Sequence, residues 1–272
     1  MAQGDAEGTA KLFGVSMQNI KISVITVCLN SEAFIGDALA SVDAQTWPSI
    51  EHLIIDGGST DATLSIVDRH KKSWRRVYSG ADGGIYDAMN KGIAKATGDV
   101  IGFINADDFY PDCDVLALVA QTMSDQSVDA CYGDLCYVRQ GNTAEVVRYW
   151  QSRSFMPGSF AVGWVPPHPT LFVRRQIYDR LGCFDLSYRI AADMELMARF
   201  FEVHGMRAVY VNRVLVHMRL GGTTNRSVRN IVRQNLEIWR ALRAHGLKPA
   251  LWKFVVGKML SRGRQFVVRP AK

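Results

Sequence analysis

The sequence predicts an α/β protein with a mainly parallel central sheet flanked by helices, and three observations carry that expectation. Short runs rich in β-branched residues alternate with segments that are apolar at helical spacing. The runs are apolar on both faces, as strands covered by helices on both sides must be. Each run also ends in a cluster of Asp, Asn or Gly. With 272 residues and 48% hydrophobic content, the chain can bury a substantial core around such a sheet.

The elements follow in order. KISVITVCL, from Lys21 to Leu29, reads as a buried strand. Asn30-Ser31 caps a helix over Glu32 to Gln45, with Phe34, Ile35, Ala38, Leu39 and Val42 at helical spacing and Trp47-Pro48 as its stop. HLIIDGG, from His52, is the second strand, and GGSTDAT leads into a helix that reaches about His70. In that loop Ser59 and Asp61 read equally well as caps or as site residues. RRVYS from Arg75 is the third strand, GIYDAMNKGIAKA from Gly84 a helix closed by Thr97-Gly98, and DVIGFIN a fourth strand running to Asn105. Later, YRIAADMELMARFFE from Tyr188 is helical and VYVNRVLVHMRL from Val209 is a strand. VRNIVRQNLEIWRALRAHG is an amphipathic helix with Val228, Ile231, Val232, Asn235, Trp239 and Leu242 on one face.

In open α/β sheets, ligands bind beyond the carboxyl ends of the strands. Here that edge collects Asn30, Asp56-Gly57-Gly58, Asp82 and Asn105-Ala106-Asp107-Asp108. Asp and Asn are also ordinary turn formers, so each has a plain structural reading beside the functional one. Two adjacent carboxylates, Asp107 and Asp108, repel unless a cation or hydrogen bonds compensate them. Magnesium or manganese, which takes one or two carboxylates plus phosphate oxygens, is the simplest compensation. Neither a G-x-x-x-x-G-K-[ST] loop nor a G-x-G-x-x-G turn occurs, so a metal rather than a glycine loop is expected to hold phosphates.

The ordered segments ISVITVCLN, IIDGGSTDAT and ADGGIYDAMNKGIAKATGDVIGFINADD resemble the nucleotide-sugar-binding half of the family 2 inverting glycosyltransferases, of GT-A fold. The resemblance spans about residues 20 to 220, and GIYDAMNKGI is similar to the branch active in exopolysaccharide, lipopolysaccharide and glycolipid assembly. FINADD resembles that family's D-x-D segment, with Asn105 in place of a common aspartate and Asp107 as the principal metal ligand. The resemblance implies that Thr26, Asn30, Asp56 and Gly57 lie near the nucleotide, and that Asp82 and Asn90 enclose ribose and diphosphate with Ala106 alongside. Asp193 matches the position of the catalytic aspartate. It would be the base on an acceptor hydroxyl, while Asp107 and its Mg or Mn serve the departing nucleoside diphosphate. The plain alternative is an acid favoured at a helix N-terminus. VPPHPTLFVRR resembles the acceptor-side stretch, making His168 an acceptor-side candidate beside the ordinary structural reading of a lone histidine. Arg219 and the following GGTTN can close over the diphosphate or form a simple loop before a helix.

Charge divides the chain. Residues after Leu220 carry twelve Lys and Arg against Glu237 alone, a net +11 that leaves −5 for residues 1 to 220 out of the total +6. The expected organisation is an N-terminal tail over 1–20 and a catalytic unit over 21–220, in which 21–110 bind the donor and 111–220 face the acceptor. A basic helical extension follows over 221–272. The extension can lie on an anionic membrane surface, pack on the catalytic unit or join a second subunit as a homo-oligomer. Five cysteines without a C-x-x-C pair, no signal-peptide core and no run of roughly 20 apolar residues point to a cytoplasmic protein, peripheral at the membrane's cytoplasmic face if the tail binds lipid. The expected partners are a nucleotide-sugar donor and a glycan or lipid-linked acceptor. Two rivals fit less well. A sugar nucleotidyltransferase needs a glycine-rich basic loop where CLNSEAF stands, and the carboxylate rim is adverse to nucleic acid.

Overall fold

A computed structural model describes residues 20–221 and 228–247, together with 254, 257, 262, 263, 265 and 266. The sequence expectations for residues 1–19, for the GGTTN segment beyond Gly221 and for most of the chain after Leu247 fall outside these residues.

Strand β1 (Ile22–Cys28) is buried along its whole length, as its unbroken β-branched run requires. It pairs in parallel with β2 (Ile50–Asp56) and β4 (Val100–Phe103), and β2 pairs in parallel with β3 (Arg75–Ser79). Helices α1 (Ile35–Asp43), α2 (Thr63–Arg69) and α3 (Ile85–Lys95) make the crossovers. Gly92 lets α3 lie directly on the sheet, because a Cβ there would sit 2.5 Å from the Ile25 side chain. The four parallel strands therefore end on one edge, as the sequence pattern predicts.

Beyond β4 the sheet is mixed. The elements that follow are β5 (Asp108–Phe109), α4 (Val115–Met123), β6 (Ala130–Arg139), β7 (Asn142–Trp150), β8 (Phe172–Arg174), α5 (Arg175–Leu181), α6 (Ala192–Ala198), β9 (Ala208–Arg219) and α7 (Val228–Ala244). The strand order is β3-β2-β1-β4-β8-β6-β9-β5, with β7 on β6. β8 runs antiparallel to β4 and β6, while β5 runs antiparallel to β9. The short β5 thus returns the chain from the acidic turn to the far end of the sheet, so both halves share one edge.

Helix boundaries depart from the sequence reading in one instructive place. α1 begins at Ile35 rather than at Glu32, because Asn30 takes a left-handed φ of +48° and the Ser31 carbonyl accepts from the N–H groups of Phe34 and Ile35. Asp61, read equally as a cap or a site residue, accepts from the Thr63 N–H at 3.0 Å at the entry to α2, whose N-cap position is Ala62. α7 buries Glu237, Ile238, Ala241 and Leu242, while Val232, Leu236 and Trp239 are exposed. Its buried stripe is offset by about one residue, roughly 100° of rotation, from the face read in the sequence. The cause is polar: Glu237 turns inward to accept from the Ile190 and Ala191 N–H groups at 2.8 and 3.1 Å. Among the described residues no helix is long and apolar enough to cross a membrane.

Candidate active site

Three strand ends build one polar edge of the sheet. After β2, Asp56 accepts from the N–H groups of Gly58 and Ser59 and, at 2.6 Å, from the Ser79 hydroxyl. Burial alone would raise its carboxyl, but the hydroxyls of Ser59 and Ser79 and these N–H groups hold it below the usual carboxylate range. It fixes the 57–60 turn. Asn30 locks the same turn from β1, its Oδ1 accepting from the Thr60 N–H at 2.9 Å. Asp82 lies against the bare Cα of Gly57: a Cβ on that glycine would come 2.7 Å from the Asp82 carboxylate. Only glycine keeps the strand-end backbone and Asp82 this close.

The acidic turn follows β4. Asp108 is fully buried, and burial, with the neighbouring Asp107 charge, pushes its carboxyl well above the ordinary range. Asp107 is also raised by burial, while the positive charge of Arg219 opposes that. Asn105 donates its amide to Asp108 Oδ2 at 2.9 Å, a bond that an aspartate at 105 could not donate. Two buried acceptors remain without a donor, Oδ1 of Asn105 and Oδ1 of Asp108. Orphaned oxygens beside paired carboxylates are the chemistry of a hard divalent cation. Among the described residues no three His, Cys, Asp or Glu side chains converge on a metal-sized site, so the shell would be completed by substrate phosphate and water.

A second acidic centre, at Asp193, is assembled from α3, α6 and α7. Asp193 stands in the first turn of α6, and the Tyr86 hydroxyl lies 3.0 Å from both its Oδ1 and the Ile190 carbonyl oxygen. Burial and the Asp193 charge push the Tyr86 hydroxyl well above its usual range, so it stays protonated as a donor. Glu237 of α7 holds residues 190 and 191, and is itself held by Arg233 at 3.1 Å. Beneath this, Phe184 packs on Tyr86, Phe103 and His168 with ring centroids 5.4 to 5.8 Å apart. His168 is buried, which lowers its pKa, and the Asp193 charge opposes the shift. The end of β4 and the base helix are thereby joined through one aromatic cluster.

This geometry agrees with the relatives of the chain. The model of Glycosyl transferase family 2 matches residues 23–189. The chain belongs to that family. A PGL/p-HBAD biosynthesis glycosyltransferase of Mycobacterium bovis (strain BCG / Pasteur 1173P2) is 30% identical over 212 residues, covering 75% of this chain and 78% of that protein. Among solved structures, S. aureus TarS 1-349 aligns with a TM-score of 0.66 at 20% identity, over 93% of this chain and 76% of that one. The mannosyltransferase PcManGT from Pyrobaculum calidifontis, in complex with GDP-Man and Mn2+, aligns with a TM-score of 0.58 at 18% identity, over 93% and 76% respectively. At those identities the two structures establish the shared GT-A fold.

Within this glycosyltransferase several residues named from the sequence have other tasks. Thr26 is fully buried mid-strand, its hydroxyl 2.9 Å from His52 Nε2, because its side chain faces the packed side of β1. Asn90 bonds the Phe184 backbone with both amide atoms, at 2.9 and 3.0 Å, and so ties α3 to the segment that precedes α6. Ala106 turns its methyl into the apolar cluster between α1, α2 and the sheet, which leaves its backbone at the edge. Arg219 takes its partners within the protein. It is buried under the acidic turn, donating to the Asp107 carbonyl at 2.9 Å and to Asp37, between the rings of Phe34 and Phe109. Asn30, Asp56, Gly57, Asp82, Asn105 and Asp107 do come together on the predicted edge. Tyr86 and Glu237 were not singled out. Tyr86 had a signal in GIYDAMNKG, one turn before Asn90, whereas the role of Glu237 depends on how α7 docks.

Proposed function

We propose that this protein is a metal-assisted, inverting glycosyltransferase that moves a sugar from a nucleoside-diphosphate donor to a hydroxyl of a glycan or lipid-linked acceptor. The observation that carries the reading is the pairing of two unlike acidic centres in one site. The turn at Asn105–Asp108 has buried oxygens short of positive charge, while Asp193 is a separate carboxylate already oriented by Tyr86. Inverting transfer asks for that division, a base on one side of the anomeric carbon and charge stabilisation of the leaving group on the other.

In this reading Asp193 accepts the proton of the acceptor hydroxyl as its oxygen bonds to the anomeric carbon and the bond to the diphosphate oxygen breaks. Tyr86, still protonated, keeps Oδ1 of Asp193 in place, leaving Oδ2 for the acceptor. Mg or Mn, bound through Asp107 with Asp108 and Asn105 beside it, would supply the charge that the departing diphosphate needs. Asp82 and the Gly57 backbone border the nucleotide, and His168 lines the acceptor side. The donors named with the neighbouring structures support a nucleotide-sugar substrate: UDP-GlcNAc for TarS, and GDP-Man with Mn2+ for PcManGT.

The tail has a mixed role in this proposal. α7 is built into the catalytic unit through Glu237, His245 and the buried Ile238, yet it presents Val232, Leu236 and Trp239 to solvent among arginines. That exposed stripe suits a peripheral contact with anionic lipid, where a lipid-linked acceptor resides. The deciding experiment is a panel of nucleotide sugars incubated with the protein and Mn or Mg while nucleoside diphosphate is measured. Release accompanied by sugar transfer is expected for one donor class; no release with any donor would sink the reading.

A further inference from the structure

One half-buried cation near the site has no counterpart among the described residues. The buried arginines elsewhere are paired: Arg75 with Asp43, Arg199 with Glu195, Arg219 with Asp37, and Arg174 with the carbonyls of Met123, Asp125 and Val128. Arg148 of β7 makes no hydrogen bond or ion pair with any described residue, and its Nε is buried without an acceptor. Its guanidinium carbon instead lies 3.8 Å from the centroid of the Tyr137 ring and 6.0 Å from that of Phe266. An arginine keeps its charge, so this half-buried guanidinium, stacked on Tyr137 and with its Nε covered and unpaired, is suited to take an anion on its remaining N–H groups.

Its position in the sheet says which anion. Arg148 pairs with Tyr137, Tyr137 with Met218, and Met218 with Asp108, across β7, β6, β9 and β5. Residues paired across strands share a face, so the four side chains form one row. At about 4.8 Å per strand, Arg148 stands roughly 14 Å from Asp108 along that row. Between them, the Tyr137 phenol is within electrostatic reach of both Asp108 and Asp193. Burial lowers the proton affinity of Arg148, Tyr137 opposes this, and the positive charge of Arg262, within electrostatic range, lowers it further. The donor's diphosphate belongs at the Asp107 end, so an anion at the other end belongs to the acceptor.

We propose that Arg148, with Arg262 and the ring faces of Tyr137 and Phe266, binds a phosphate group carried by the acceptor. The assignment rests on the glycosyl-transfer reading for the word acceptor, but the anion site itself does not. The row then orders the substrates: nucleoside diphosphate at Asp107, reacting centre near Asp193, acceptor phosphate at Arg148.

The test titrates phenyl phosphate into the full-length protein by calorimetry, for wild type, Arg148→Gln and Arg148→Lys, and titrates UDP and GDP with Mg in parallel. Loss of a charge-assisted contact predicts binding weakened about tenfold or more in Arg148→Gln and partly retained in Arg148→Lys. Nucleoside diphosphate affinity should change less than twofold, which also reports that the variants are folded. Equal phenyl phosphate binding by wild type and Arg148→Gln, or none by wild type, overturns the site. If Arg148→Gln weakens nucleoside diphosphate by the same factor, and the two ligands compete, the arginine serves the donor and the acceptor assignment falls. A donor panel without nucleoside diphosphate release would instead defeat the glycosyl-transfer reading and leave this titration intact.

Discussion

The two acidic centres of the site are built to opposite specifications. At the turn after β4, half-buried Asp107 and fully buried Asp108 stand side by side with acceptors to spare, and burial raises both carboxyls. At the start of α6, Asp193 has a neutral phenol on one oxygen and a helix N-terminus behind it, and the backbone just before it, at Ile190 and Ala191, is held by Glu237. The first is short of positive charge and long on oxygen; the second is furnished with neutral donors. A carboxylate left under-compensated is suited to capture a cation, whereas one oriented by fixed donors is suited to take a proton in a defined direction.

The largest effect should come from removing the base. Asp193→Asn is expected to lower kcat by roughly 10²- to 10⁴-fold, the usual worth of a general base, while nucleoside diphosphate affinity stays within about twofold. Steady-state kinetics and a binding titration check this together, and a variant that keeps near wild-type turnover removes Asp193 from the chemistry.

The acidic turn should respond in the other direction. A carboxyl whose pKa is raised by folding contributes stability below the ordinary carboxylate range and loses it as pH rises through its folded value. In metal-free protein at neutral pH, Asp108→Asn should therefore raise the melting temperature, although activity with Mn falls. Mn should raise the melting temperature of wild type and leave Asp107→Asn nearly unchanged. If metal-free Asp108→Asn melts below wild type, the turn is compensated by the protein alone and the contrast with Asp193 collapses.

A smaller loss is expected from Tyr86→Phe, which keeps the ring on Phe184 and removes only the hydroxyl. Losing one hydrogen bond to a charged oxygen is worth about 1.5 to 3 kcal/mol, so kcat should drop roughly tenfold or more with KM little changed. A rise in KM alone would make the tyrosine a binding residue rather than a positioning one.

How much of this was legible follows from the range of the interactions. β1 to β4 and their helices could be read because each is a local pattern: β-branched runs, helical spacing and terminal Asp or Gly clusters. The acidic turn was legible for the same reason, since Asn105, Asp107 and Asp108 are neighbours in sequence. The protein partners of Asn90 and Thr26 were not legible because they lie 94 and 26 residues away, at Phe184 and His52. The buried face of α7 depends on Glu237 meeting two N–H groups 46 and 47 residues upstream, and nothing in the helix's own periodicity encodes that. The mixed half of the sheet was opaque because antiparallel β5, β7 and β8 are short or half-exposed and carry no continuous apolar run.

The smallest effect tests the parallel half alone, away from both acidic centres. The Arg75 Nε–H donates to His52 Nδ1 at 3.1 Å, so the imidazole proton is on Nε2, which donates to the Thr26 hydroxyl at 2.9 Å. Burial, then the Arg75 charge, lowers the His52 pKa well below its ordinary value. The sign follows from linkage: an unfolded histidine takes up a proton near pH 6.5, and the folded one refuses it until much lower pH. His52 therefore contributes nothing to the pH dependence above about 6.5 and costs up to about 1.4 kcal/mol per pH unit below it. Buried His168 and half-buried His217, lowered in the same direction, add to the slope. His52→Gln should melt lower than wild type at neutral pH, yet lose stability less steeply between pH 6.5 and 5 in a melting series. An unchanged slope would mean that His52 accepts its proton in the folded state, and that the Thr26–His52–Arg75 relay opens in mild acid.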